Sequence, residues 1–189
     1  KCTTDHISPA GPWLRFRGHI ENLSDNMFLG AVNAYTGQIG TGLNQSTGQT
    51  EQSFSDIAKS YKSKGVPWVV IGDTNYGEGS SREHAALSPR FLGATAVVAK
   101  SFARIHESNL KKQGLLTLLF AEPSDYDMVQ EGDRISLIKL SDLAPGKPIV
   151  CILHHANGTE NRLTLNHTFN SSQLDWFRAG SAMNIMRDK

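Results

Sequence analysis

Between residues 67 and 120 the chain spells strand, glycine loop, helix, strand, helix, strand, and that order points to a partly parallel sheet covered by helices. Trp68-Val69-Val70-Ile71 is an apolar, largely β-branched run of the kind shown by a strand buried on both faces. Residues 72–79, rich in glycine, break it. Ser80 or Ser81 then caps a predicted helix that runs through Leu87 and is closed by Pro89. Residues 94–99 form a second predicted strand, 102–113 a helix ended by Gly114, and 115–120 a third strand.

The flanks follow different patterns. Residues 43–65 are polar and read as a surface excursion in which Ser55 caps a short helix through Lys64, with Gly65 ending it. Beyond Pro123, short strands over 134–140, 148–153 and 162–166 are split by Pro145-Gly146 and Asn157-Gly158, the second pair being a strong hairpin signal. Residues 171–189 read as a closing helix interrupted near Gly180. With 189 residues and no internal repeat, residues 1–189 are expected to form one domain.

Nineteen Lys plus Arg against 18 Asp plus Glu leave a net charge of +1, with the basic residues scattered. Nucleic-acid and anionic-membrane binding rest on clustered cations, so this balance argues against both. No apolar run approaches the roughly 20 residues of a membrane-spanning helix, and residues 1–11 lack a signal pattern, so a soluble chain is expected. Cys2 and Cys151, far apart, make neither a disulfide scaffold nor a CxxC site and fit a reducing compartment. Five N-x-[ST] sequons, at Asn22, Asn44, Asn157, Asn166 and Asn170, read as chance in an Asn-, Ser- and Thr-rich chain. The first residue is Lys1 rather than Met, which reads as a cut or processed chain.

Chemistry concentrates in Gly72-Asp-Thr-Asn-Tyr-Gly-Glu-Gly-Ser-Ser-Arg-Glu-His84. With a helix starting at the serines, two hydroxyls and a guanidinium would sit on its first turn, where free N–H groups and the dipole favour an anion. Arg82 adds a planar fork suited to a carboxylate. Taken alone, the same residues also read as plain caps beside a solvated Arg82–Glu83 pair. A nucleotide loop is not supported: there is no G-x-x-x-x-G-K-[ST], and Arg82 stands where a G-x-G-x-x-G needs its last glycine. His154 and His155 are adjacent on a strand and point to opposite faces, which argues against a shared metal. His84 reads as a packing or hydrogen-bonding residue, and His106 as support for its helix. Cys2 reads as a reactive thiol if exposed, Cys151 as inert.

The Gly72–His84 stretch resembles the active-site loop of the aconitases. Cys2-Thr-Thr-Asp-His-Ile-Ser, Gly11-Pro-Trp-Leu-Arg-Phe-Arg-Gly-His19, Lys100-Ser-Phe-Ala-Arg-Ile-His106, Asn166-His-Thr-Phe and Trp176-Phe-Arg-Ala-Gly180 resemble that family in the same order. The resemblance spans nearly the whole chain. It implies the C-terminal, swivelling β/β/α-type domain of an α/β enzyme, a mixed and partly curled sheet with covering helices. Its partners would be a tricarboxylate substrate (citrate, isocitrate, cis-aconitate) and the cluster-bearing domains of the same enzyme, acting in the tricarboxylic acid cycle of the mitochondrial matrix or a bacterial cytoplasm. Ser80 would be the catalytic base, and Ser81, Arg82 and Arg17 would bind substrate carboxylate. One of Asp5 and His6 would orient Arg17 or Ser80 from behind; taken alone, the two also read as a plain turn or cap. A serine alkoxide at neutral pH costs about 8 kcal/mol, so the site must stabilise it. The N–H groups behind Ser80, the charge of Arg82 and exclusion of water are the means at hand.

An aconitase [4Fe-4S] cluster takes three protein thiolates, which two distant cysteines do not supply. The resemblance therefore implies a cofactor bound by residues outside this chain, no metal ligand within it and no hydratase activity in isolation. Two other readings are the small subunit of an isopropylmalate isomerase or homoaconitase, and an RNA-binding module. The Phe-Arg-Gly and Gly-Ser-Ser-Arg blocks argue against the first, and the absence of a basic stripe against the second.

Overall fold

A computed structural model describes residues 1–187; Asp188 and Lys189, the end of the expected closing helix, lie outside the described residues. Two short helices, α1 (Thr4–Ile7) and α2 (Ile20–Ser24), precede the antiparallel strands β1 (Thr41–Asn44) and β2 (Gln49–Ser53) and the helix α3 (Phe54–Ser63). Then follow β3 (Trp68–Gly72), α4 (His84–Phe91), β4 (Ala94–Ala99), α5 (Arg104–Lys112) and β5 (Leu116–Phe120). The last third holds β6 (Arg134–Ile138), β7 (Ile149–His154), β8 (Glu160–Asn166), α6 (Ser171–Arg178) and α7 (Ala182–Arg187).

The main sheet has the order β3-β4-β5-β8-β7-β6. β3, β4 and β5 run parallel, because α4 and α5 provide the crossovers that parallel neighbours require. β8, β7 and β6 join antiparallel, with Asn157-Gly158 in the turn between β7 and β8. The α/β class and the mixed sheet expected from the sequence are both present. One core lies under the helices, where Ala85 and Ala86 of α4 and Leu110 of α5 meet Val97 and Ala99. A second joins Val98 and Leu118 to Cys151, Leu153, Leu163 and Leu165. β5 and β8 lie between β4 and β7 in the sheet and link them into this shared core.

Several local expectations are corrected. Trp68–Ile71 is half-buried rather than covered on both faces, because β3 is an edge strand with a single neighbour. Residues 41–53 fold back as a hairpin instead of a bare excursion, and Ser53, not Ser55, caps α3 by accepting from Asp56 N at 3.2 Å. Pro89 lies inside α4 rather than closing it. It forfeits one bond to Ala85 in a helix that ends two residues later.

Away from the sheet's parallel end, Asp133 and His155 pair at 2.7 Å, their side chains 3% and 2% exposed, with Asn161 on the other ring nitrogen at 2.8 Å. His154, on the opposite face, meets Glu160 and Ser136. The Asp133 hydrogen bond, followed by that of Asn161, raises the His155 pKa above 6.5. The fold therefore favours the protonated ring. That stabilisation is complete below pH 6.5 and is lost as the pH rises through the folded value. Thermal unfolding of the native protein is expected to show a fall in Tm across that window. The same scan on Asp133→Asn should lose the pH-dependent step; an unchanged step would assign it elsewhere.

Candidate active site at the Ser80 loop

The loop from Asp73 to Glu83 leaves the carboxyl end of β3, where open parallel sheets gather their ligands. It is fastened on two sides. Tyr76, 2% exposed, donates its N–H to Ser101 O and accepts from Ala103 N, both at 2.9 Å, while Asn75 N reaches Ser101 Oγ at 2.8 Å. These bonds zip the loop to the segment after β4. On the other side Gly77 N donates to Cys2 O (2.8 Å), Thr4 N to Glu78 O (2.9 Å) and Thr4 Oγ1 to Ser80 O (2.9 Å). The N-terminal segment is thus part of the loop's scaffold.

One glycine in this loop is dictated by close approach. Gly77 has φ +80, and a Cβ there would stand 2.1 Å from the His106 ring. That ring packs against Tyr76 at 5.5 Å between centroids. His106 is 2% exposed and neither ring nitrogen has a hydrogen-bond partner. Desolvation pushes its pKa down to about 4, so it is a neutral imidazole at physiological pH. Each unpaired buried polar group costs about 1–3 kcal/mol, and on that ground support of a helix is an incomplete description of this residue.

Ser80, Ser81 and Arg82 do not lie on the first turn of a helix. α4 begins only at His84, after Glu83, with no side-chain cap. Gly79 at φ +112 and the Thr4 tether hold the serines in an extended loop before it, so helix-terminal N–H groups do not stand behind Ser80. Both serines are exposed. Arg82 is anchored instead: its Nη1 donates to the Asp5 carboxylate and, at 3.0 Å, to Ser8 O. Asp5 therefore engages Arg82, not Arg17 or Ser80. His6 serves α1, its Nδ1 accepting from Thr3 N in a reciprocal capping box. Arg17 is exposed at the end of a 3-10 turn, with its carbonyl 3.4 Å from His84 Nε2.

A pocket of about 430 Å³ opens beside the loop. Thr4, residues 77 and 79–82, the first turn of α5 and Asn109 line it. Ser80, Ser81 and Arg82 thus share one wall, and Arg17, Asp5 and His6 stand outside the lining. The sequence offered no direct sign of Thr4, His106 or Arg104 as wall residues, although all three fall inside the blocks that resemble aconitases.

The profile of the aconitase C-terminal domain matches residues 1–123. The chain belongs to that family. Over 187 residues it is 59% identical to the mitochondrial aconitate hydratase of Gracilaria gracilis and 55% identical to that of Saccharomyces cerevisiae, each alignment covering 99% of this chain and 24% of the relative. The aconitase domain thus spans about a quarter of the length of the curated relatives it matches. Its fold is similar to a crystal structure of 3-isopropylmalate dehydratase from Methanocaldococcus jannaschii, with a TM-score of 0.58 and 22% identity over 98% of this chain and 86% of that one.

The domain's own residues do not fit an iron–sulfur cluster. Burial raises both Cys2 and Cys151 to about 11, the opposite of the thiolate a cluster needs, and Cys151 lies in the sheet core. Cys2 is accordingly not the reactive thiol that partial exposure alone would make it. Among the described residues no group of three or more His, Cys, Asp or Glu is placed to hold a metal ion, and no helix is long and apolar enough to cross a membrane.

Proposed function

We propose that this domain provides the catalytic base and carboxylate grip of an aconitate hydratase that interconverts citrate and isocitrate through cis-aconitate. The observation that carries the reading is the shared pocket wall of Ser80, Ser81 and Arg82, in a chain that resembles mitochondrial aconitate hydratases along its whole length. In this role Ser80 Oγ takes the carbon-bound proton. Ser81 and the Arg82 fork hold a carboxylate next to the reacting carbon, and Arg17 holds another from outside the wall. Asp5 positions Arg82: one Nη1 is committed to Asp5 and Ser8, leaving the rest of the fork to face substrate.

With no helix terminus behind Ser80, the alkoxide depends on the Arg82 charge and on water being excluded when the exposed serines are covered. The part of the enzyme that the relatives carry beyond this domain would cover them and hold the [4Fe-4S] cluster. The mitochondrial names of those relatives support a mitochondrial enzyme, with the matrix as the proposed site. Isolated, the domain is expected to be inactive.

Arg82→Lys in the full-length enzyme tests the reading. Loss of the planar fork should raise KM for citrate tenfold or more, followed by cis-aconitate absorbance. Unchanged kinetics would remove Arg82 from the substrate site.

A further inference from the structure

Ser80 makes a single hydrogen bond among the described residues, and its hydroxyl takes no part in it. The Ser80 carbonyl accepts from Thr4 Oγ1 at 2.9 Å, while the Oγ assigned to proton removal has no partner. The direction of that Oγ is therefore set by the backbone, and the backbone by whatever holds it. Thr4 holds it on both sides of Gly79, its N–H donating to Glu78 O at 2.9 Å and its hydroxyl to Ser80 O. Between the two grips Gly79, at φ +112, has no Cβ to restrict its turning. The holder itself is fixed. Thr4 is 1% exposed and opens α1, whose last residue, the fully buried Ile7, accepts from Phe28 N at 2.9 Å. Arg82 does not depend on this tether, being anchored by Asp5 and Ser8.

We propose that Thr4 is a positioning residue for proton removal: by holding the Ser80 carbonyl, its hydroxyl fixes the direction from which Ser80 Oγ meets the substrate carbon. This rests on the reading of Ser80 as the base, and it deepens that reading. Without the Thr4 hydroxyl, rotation at Gly79 carries Ser80 Oγ off its line to the carbon-bound proton, while the Arg82 fork stays where it is. A misplacement of about 1 Å at a reacting centre can cost roughly a hundredfold in rate. Thr4 also lines the pocket, so the test has to separate action through Ser80 from direct contact with substrate.

The test is a double-mutant cycle in the full-length, cluster-loaded enzyme, read by steady-state kinetics with citrate and isocitrate. Thr4→Val keeps the branched shape and removes the donor. It should lower kcat about 10- to 100-fold while KM stays within a few-fold, and Thr4→Ala, which has no bulk to misfit, should show the same split. Thr4→Ser retains the hydroxyl and should recover most of the turnover. In a Ser80→Ala background Thr4→Val should add no further loss, because the group it positions is already gone. Three results would overturn the proposal: unchanged kcat in both Thr4→Val and Thr4→Ala, no recovery in Thr4→Ser, or the same further loss in the Ser80→Ala background. The last would mean that Thr4 acts on substrate directly or on the fold at large. Ser80→Ala alone separates the two ideas. Turnover that survives it defeats the base assignment, whereas turnover lost there with Thr4→Val and Thr4→Ala at native rates defeats the positioning role alone.

Discussion

In the full-length enzyme Ser80→Ala is expected to lower kcat by about a thousandfold or more while KM for citrate stays within a few-fold. The two parameters separate because Ser80 is assigned to proton removal, whereas carboxylate binding rests on Ser81, Arg82 and Arg17. Alanine removes one exposed oxygen and no packing. The tether in this region uses the Ser80 carbonyl, which accepts from Thr4, and the backbone is retained in the variant. Tm should therefore move very little. Steady-state kinetics with citrate and isocitrate, together with a thermal scan, check both halves. A kcat within tenfold of native in a folded variant would move the base to another residue, and a large KM change with kcat intact would reassign Ser80 to binding.

Gly77→Ala should be the most damaging single methyl in the site. The residue sits at φ +80, where an L side chain is strained, and its new Cβ would fall 2.1 Å from a buried ring. Left-handed backbone costs about 1–2 kcal/mol and overpacking typically 1–3 kcal/mol, which together give roughly 2–5 kcal/mol. His106 is 2% exposed and packed on Tyr76, which limits its retreat. The loop would move instead, and Ser80 with it, so stability and kcat should fall together. Gly37→Ala is the matched control: φ is +72, but nothing lies within 4 Å of the added carbon. It should cost only the backbone term and leave turnover intact. Denaturant unfolding and kcat of both variants give the comparison; equal losses in the two would mean that the His106 contact carries no weight.

The order of strands and helices from residue 67 to 120 was legible because apolar runs and glycine stops are local signals. β4 spans the six residues its sequence marks, and the hairpin turn at Asn157-Gly158 falls where that pair puts it. The blocks that resemble aconitases also carried the family, since long ordered motifs do not depend on contacts. Helix starts were less legible. Serines at 80 and 81 have the right chemistry to cap, but Gly79 and the Thr4 tether pull them into a loop and leave Glu83 at the cap position. Nor does an apolar run show whether its strand has one neighbour or two, so Trp68–Ile71 reads as central although β3 is an edge.

From the sequence alone came the α/β class, the family and the residue types of the Ser80 loop, because local propensity and motif order are written in consecutive residues. Only the tertiary structure decided which distant side chains meet. Asp5 finds Arg82 across 77 positions, and His106 fixes Gly77 from another helix. The first turn of α5 and Ser81 line one pocket. Such meetings follow from how the crossovers and the N-terminal segment pack around the end of β3, a long-range closure that no local pattern encodes.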